Sequence, residues 1–187
     1  MNLKSLTRRS LLLFEADEVL KSIGLSSDKV AEILSGYLEC ALWTEEERLK
    51  DDFKSGLDYD EEEYEDDPNE MSGEPVDKLI AMQNKMKRVS FETFWREDIE
   101  PNSQIQAYQD IKKFIELAGK DAIAEAIQEY GFSQLGHDLW LTRNRHGAGF
   151  FDRTYEHEEQ LISAAHALKE VDLYLTDNNT LAFSNAH

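Results

Sequence analysis

Apolar residues recur at helical spacing through most of this chain and switch to alternation only near its C-terminus. Leu6, Leu13, Val19 and Leu20, with Leu11, Leu12 and Phe14 between them, predict an amphipathic helix over about 4–22 that stops at Gly24. Ser26, Ser27 and Asp28 offer capping oxygens to a second helix over about 27–43. In it Val30, Ile33, Leu34, Tyr37, Leu38, Ala41 and Leu42 keep an i, i+3, i+4 stripe. Pro75 suits a first helical turn, and Val76, Leu79, Ile80, Met82 and Met86 carry the period to about Val89. The aromatic run Phe91-Glu92-Thr93-Phe94-Trp95 continues that helix or forms a separate turn. Pro101 opens a helix through Ile105, Tyr108, Ile111, Ile115 and Leu117, closed by Gly119. A shorter one over Asp121–Tyr130 closes at Gly131.

The period then changes. Asp138-Leu139-Trp140-Leu141-Thr142 reads as a strand, Arg143-Asn144-Arg145-His146-Gly147 as a turn, and Gly147–Asp152 as the return strand of a hairpin. A helix over about 156–169 follows, with Leu161, Ile162, Ala165 and Leu168 on one face. Val171–Thr176 alternates, Asp177-Asn178-Asn179 turns, and Thr180–Ser184 pairs back. The expected fold class is α+β: a helical N-terminal two-thirds and a C-terminal antiparallel ββαββ unit. The expected organisation is an N-terminal helical hairpin (1–43), an acidic segment (44–74) and helices plus the ββαββ unit (75–187), forming one compact domain.

Charge alters this picture in one place. Glu45 to Glu70 holds 14 acidic and 3 basic residues, a net −11 out of −19 for all 187 residues. Like charges at i, i+4 oppose a helix, so irregular structure is expected there, with a short helix at 44–54 where Arg48, Lys50 and Lys54 dilute the acids. The net charge repels nucleic acid and anionic membranes and favours partners with basic surfaces. Direct duplex binding is therefore not expected. A helical run would carry about one acid per ~3 Å, close to the ~3.4 Å spacing of charges along one nucleic-acid strand. An extended run would reach only about one per ~6 Å. The candidate partner-binding residues are Asp58, Tyr59, Asp60, Glu61, Glu62, Glu63, Tyr64, Glu65, Asp66 and Asp67. Tyr59 and Tyr64 serve either as anchors on a basic partner or as tacks back onto the domain. The run lacks the spaced D-x-D-x-D-G pattern of a calcium loop.

The single cysteine, Cys40, excludes an intrachain disulfide and reads as a small buried hydrophobe. No run approaches the roughly 20 apolar residues of a membrane span. Arg8-Arg9 precede only four apolar residues before Glu15, Asp17 and Glu18, so no signal peptide is expected, and the location is taken as cytoplasmic.

The densest cluster of chemically capable residues runs from Gly136 to Arg153, GHDLWLTRNRHGAGFFDR. Its candidate residues are His137, Asp138, Trp140, Arg143, Asn144, His146 and Asp152. A hairpin could set His137 against Asp152, a pairing that suits general acid–base work in a small hydrolase. His137, His146 and Asp152 have no standard metal-ligand spacing. Trp140, Phe150 and Phe151 with Arg143, Arg145 and Arg153 would instead suit single-stranded nucleic acid. The third reading is structural: Trp140 and Phe150 as core, Gly147 and Gly149 permitting the turn, and Asp–Arg pairs fixing its register. No serine or cysteine nucleophile and no phosphate-cradling glycine loop accompany the cluster, so neither an enzyme nor a cofactor or metal is the expectation.

The block GHDLWLTRNRHGAGFFD resembles the signature GHDFWLTRNxHGxGFWD of an uncharacterised family of small phage and prophage proteins, with Leu139 and Phe151 as like-for-like departures that widen it to GHD(F/L)WLTRNxHGxGF(W/F)D. Leu38-Glu39-Cys40-Ala41-Leu42-Trp43 with the acids after it resembles the ALW-plus-acidic stretch of the same proteins, as does the Ile111–Phe114 region. The resemblance spans about residues 37–153 and implies a phage origin, but assigns no residue a role. Together with the acidity it suggests an inhibitor of host nucleic-acid machinery, of anti-CRISPR or anti-restriction type, acting on a nuclease or nuclease–guide RNA complex in the bacterial cytoplasm.

Overall fold

A computed structural model describes residues 24–62, 94 and 96–184, with the backbone alone at 27 and 54–62. It consists mostly of helices, with one small antiparallel sheet at the C-terminal end. In chain order these are α1 (Ser27–Glu62), a 3-10 turn (Arg96–Asp98), α2 (Pro101–Ala118), α3 (Lys120–Tyr130), α4 (Phe132–Arg143), a second 3-10 turn (Phe150–Asp152), α5 (Glu158–Ala167), β1 (Leu173–Leu175) and β2 (Leu181–Phe183). The expected helices over 4–22 and 75–89 lie outside the described residues, as do Glu63, Tyr64, Glu65, Asp66 and Asp67.

α1 is the spine, and α4 packs along it more extensively than any other described element. Val30, Ile33, Tyr37, Leu38, Cys40 and Ala41 are buried on its first half. The helix does not stop near Trp43, as the sequence suggested; it continues unbroken into the acidic segment. Leu49 is fully buried and Phe53 nearly so, and fully burying such side chains contributes about 1.5–3 kcal/mol each. Repulsion between i, i+4 acids costs only about 0.2–0.5 kcal/mol per pair. It is further offset by Arg48, which bridges Glu45 (2.8 Å) and Asp52 (3.3 Å), and by Lys50 with Glu46 (2.6 Å). Burial therefore wins over charge repulsion as far as Phe53, and the remaining turns propagate from an existing helix.

The crossing of α1 and α4 is set by two glycines. A Cβ on Gly136 would lie 2.1 Å from the Ile33 carbonyl oxygen and 2.6 Å from the Tyr37 amide nitrogen. One on Gly36 would lie 2.0 Å from the Ser133 carbonyl oxygen. Backbone meets backbone at both points, so neither position has room for a side chain.

Two expected strands are absent. Residues 138–142 lie inside α4, and Gly147–Asp152 forms a bend and a 3-10 turn, so the ββαββ unit reduces to the last hairpin. The cause is that the buried face of α4 is not apolar: Leu135, Leu139 and Trp140 share it with Gly136, Asp138, Thr142 and Arg143, while Ser133, Gln134, His137 and Leu141 lie on the less buried side. Polar residues and a glycine on the buried face break the apolar 3.6-residue stripe, and a short apolar run then reads equally as a strand.

The hairpin does form. Leu173 pairs with Phe183, Tyr174 with Ala182 and Leu175 with Leu181. It is strapped onto the helices by side chains and main chain. Arg48 donates to the Leu173 carbonyl, the Phe183 amide donates to Ser103 Oγ (3.0 Å), and the Glu100 amide donates to the Leu181 carbonyl (2.8 Å).

Gly136→Ala should destabilise the protein by about 2 kcal/mol or more, because the methyl group meets main chain that cannot rotate away. Urea unfolding measures this. A loss under about 0.5 kcal/mol would mean that the helices are not in such close contact.

Candidate functional site

The Gly136–Arg153 cluster is where the structure concentrates buried polar chemistry. Asp138, Thr142 and Arg143 are three of the four buried polar or charged residues among those described. Buried charge is costly unless paired and hydrogen-bonded, so partner geometry decides what such residues do.

Arg143 projects from the last turn of α4 into the core and is 1% exposed. One terminal nitrogen donates to the Tyr37 hydroxyl (2.7 Å) and to Asp110 Oδ2 (2.7 Å). Nε donates to the Lys169 carbonyl, and the other terminal nitrogen to the Leu168 carbonyl (3.3 Å). The guanidinium thus joins α1, α2, α4 and the exit of α5. Burial works against its charge, but Tyr37 and Asp110 outweigh it and raise the pKa above the ordinary arginine value. Burial also pushes the Tyr37 hydroxyl upward, keeping it neutral.

Asp138 faces a different side of α4. Its carboxylate accepts a two-pronged bond from Arg153 (2.8 and 3.1 Å), one from Gln134 (2.9 Å) and a longer one from the Tyr155 hydroxyl (3.3 Å). Arg153 also lies 4.8 Å from the Tyr130 ring centroid. The hydrogen bond to Asp138 raises the Arg153 pKa, and burial does the same for Tyr155, with the Asp138 charge adding to it.

Most of the remaining motif groups are also engaged, the exception being the buried Nδ2 of Asn144, which has no hydrogen-bond partner among the described residues. Trp140 is fully buried, meets Tyr37 edge-on at 5.2 Å and donates its indole N–H to Thr44 Oγ1 (2.9 Å). Thr142 Oγ1 accepts the Phe150 amide (2.9 Å), and Phe150 stacks on Phe114 at 5.5 Å. Gly149 has φ 132°, and a Cβ there would lie 2.2 Å from Thr142 Oγ1. Asp152 accepts the Gly149 amide (3.1 Å) and returns its own amide to the Gly149 carbonyl (3.1 Å). Asn144 Oδ1 accepts the Val171 amide (2.9 Å) and fixes the approach to β1. His146 stacks over Trp140 at 6.4 Å, with Nε2 3.8 Å from Glu45 Oε1.

The hairpin that would have set His137 against Asp152 is replaced by helix and 3-10 turn. Among the described residues no hydrogen bond or ion pair joins them: Asp152 is spent on Gly149, while His137 is half-buried on α4. Nor, among the described residues, do three or more His, Cys, Asp or Glu side chains gather as metal ligands. With Trp140, Phe150 and Arg143 all buried, only Phe151 of the motif's aromatics presents a face outward, at 43% exposure. Cys40 is buried too. Burial, helped by the Asp138 charge, pushes its thiol up to about 12, where it is no nucleophile at neutral pH.

One carboxylate–imidazole pair does form, between residues the sequence did not single out. Glu125 Oε2 lies 2.7 Å from His157 Nδ1 and accepts the His157 amide (3.1 Å), and its other oxygen accepts the Glu156 amide. The hydrogen bond to Glu125 raises the His157 pKa. Partial burial opposes ionisation of Glu125, but the amides and imidazole prevail and hold its carboxyl below the usual range. This pair ties down the entry to α5, since the two amides belong to Glu156 and to His157, the residue that precedes its first turn.

The acidic candidates fall in two groups. Asp58, Tyr59, Asp60, Glu61 and Glu62 lie on the last turns of α1, and the other five lie outside the described residues. No described helix is long and apolar enough to cross a membrane. Trp43, which the sequence reading left outside the core stripe, is 69% exposed on α1. Sequence reasoning missed the motif's partners Tyr37, Thr44, Asp110 and Tyr155, and no spacing signal marks them, because they sit 17 to 106 residues from the side chains they bind. Comparison with family models, with curated proteins and with solved structures gives no match.

Arg143→Leu should cost about 3–5 kcal/mol, because it leaves Asp110, the Tyr37 hydroxyl and two carbonyls without their donor. Arg143→Lys should recover only part of this, since one ammonium cannot reproduce the fork. Chemical denaturation of both variants checks it, and wild-type stability in Arg143→Leu would contradict it.

Proposed function

We propose that this chain is an interaction protein, not an enzyme. It belongs with the small phage and prophage proteins whose GHD(F/L)WLTRNxHGxGF(W/F)D signature it resembles. It inhibits host nucleic-acid machinery in the bacterial cytoplasm, in the manner of an anti-CRISPR or anti-restriction protein, and its acidic surface stands in for nucleic acid.

What carries this reading is the helical state of the acidic run. Residues 45–62 contain nine acidic and three basic residues and lie on one continuous helix. Eighteen helical residues span about 27 Å, so the acids recur about every ~3 Å, near the ~3.4 Å charge spacing of one strand. An irregular loop would have had no fixed spacing. The acidity also sharpens away from the packed core. Arg48 and Lys50 are paired with Glu45, Asp52 and Glu46, whereas beyond Phe53 only Lys54 stands against Asp58, Asp60, Glu61 and Glu62. Glu47, Asp51, Asp58 and Glu62 occupy helical positions on one side, opposite Leu49 and Phe53. Packing of Leu49 and Phe53 keeps the start of this arm attached to the body, so binding would not first have to order it.

The motif's side chains support the same reading by being committed elsewhere. Asp138, Arg143, Trp140 and Asp152 hold the body together, so the surface rather than a cleft is left to carry recognition.

The test is displacement of labelled DNA from a panel of guide-loaded CRISPR nucleases and restriction enzymes. Inhibition of at least one is expected at 50 mM salt, weakening about tenfold or more at 300 mM. Replacing Asp60, Glu61, Glu62 and Glu63 by Asn and Gln together should weaken it further at low salt. No displacement anywhere on the panel, or full potency in the quadruple variant, would remove the acidic arm from the mechanism.

A further inference from the structure

α1 carries one large apolar side chain where only charged residues would be expected. Trp43 is 69% exposed, more than any other large hydrophobic residue among those described. It stands in a charged stripe: Glu39 lies one turn before it, and Glu46 and Glu47 one turn after. Glu39 and Glu46 have side chains 54% and 40% exposed, and Glu47 is exposed with no ion pair among the described residues. No described aromatic ring or cation covers the indole, and Lys50 is held by Glu46. A tryptophan left bare on a helix contributes nothing to the core, and its indole face is open to a partner.

The chemistry around the indole selects the partner. A guanidinium is planar and weakly hydrated; it stacks on an indole face while its N–H groups bond to carboxylates alongside. An ammonium is compact and strongly hydrated, and does this less well. Glu39 already accepts from Ser35 Oγ (2.7 Å) and lies 3.8 Å from Arg96, and Glu46 holds Lys50, so the exposed carboxylate of Glu47, one turn after Trp43, is the acceptor left for such a stacked group. We infer that Trp43, with Glu47 beside it, is an arginine-selective docking point for a protein partner whose basic surface presents arginine rather than lysine. This rests on the acidic arm as an interaction surface and adds to it the kind of cation recognised. The arm beyond Phe53 supplies sequence-tolerant attraction, and Trp43 supplies the choice between cations.

The experiment uses the full chain with fluorescent nona-arginine and nona-lysine peptides as probes, titrated by anisotropy at 100 mM salt. Nona-arginine should bind roughly two- to fivefold more tightly than nona-lysine. Trp43→Ala should bring the two affinities together by weakening only the arginine peptide, while Trp43→Phe retains part of the preference. Trp43 is exposed, so both variants should fold, which circular dichroism verifies. Neutralising Asp60, Glu61, Glu62 and Glu63 together should weaken both peptides alike and leave the ratio intact, so failure of the arm and failure of the docking point give different results. Equal affinities in the wild type, or an unchanged ratio in Trp43→Ala, overturns the inference. So does sedimentation showing that Trp43 is instead buried between two copies of this chain, with dimers that Trp43→Ala dissolves.

Discussion

Two glycines determine how near α1 and α4 come to each other, and the rest of the body is arranged around that approach. With Gly36 against Ser133 and Gly136 against Ile33 and Tyr37, the helix backbones touch without intervening side chains. The close approach brings the ends of α4 within reach of groups that would otherwise be too far. Trp140 can donate to Thr44 on α1, and Arg143 can reach Tyr37 and Asp110 together. A wider crossing would strand these groups in the core with their hydrogen-bonding capacity unmet, which costs more than the contacts themselves return. The glycines and the buried polar network therefore depend on each other.

That dependence bears out the structural reading of Trp140 and Phe150 as core and gives the Gly136–Arg153 motif a framework role in the structure. An active site and a framework both need aspartate, arginine, histidine and aromatics close together. A framework satisfies every charge internally, as Asp138 does with Arg153, Gln134 and Tyr155. Here the spent groups include the main-chain amides of Gly149, Phe150 and Val171, each received by a motif side chain. The segment is a means of turning the chain from α4 into α5 and then to β1, with specificity written in hydrogen bonds.

Much of the helical outline was legible. Pro101 at a first turn, glycines at 119 and 131, and the alternation over 171–184 each correspond to an element found. Trp140 and Phe150 as core residues also follow from the motif's apolar content. The short helix expected at 44–54, where Arg48, Lys50 and Lys54 dilute the acids, is there, but its fusion with the helix before it and its run to Glu62 were hidden because Leu49 and Phe53 are embedded among acids. α4 was hidden because Gly136, Asp138, Thr142 and Arg143 occupy its buried face and erase the apolar periodicity. The pairs that decide the site, Arg143 with Asp110 and Trp140 with Thr44, are 33 and 96 residues apart and leave no local trace.

The division between a tied framework and an acidic surface is tested most directly by native-state hydrogen exchange, residue by residue. If the α1–α4 crossing is the unit on which the body depends, the amides of 33–49 and of 136–143 should share the slowest exchange and open in one event with a common free energy. Amides of α1 between 33 and 49 that exchanged orders of magnitude faster than those of α4 would show the two helices opening separately and contradict the account.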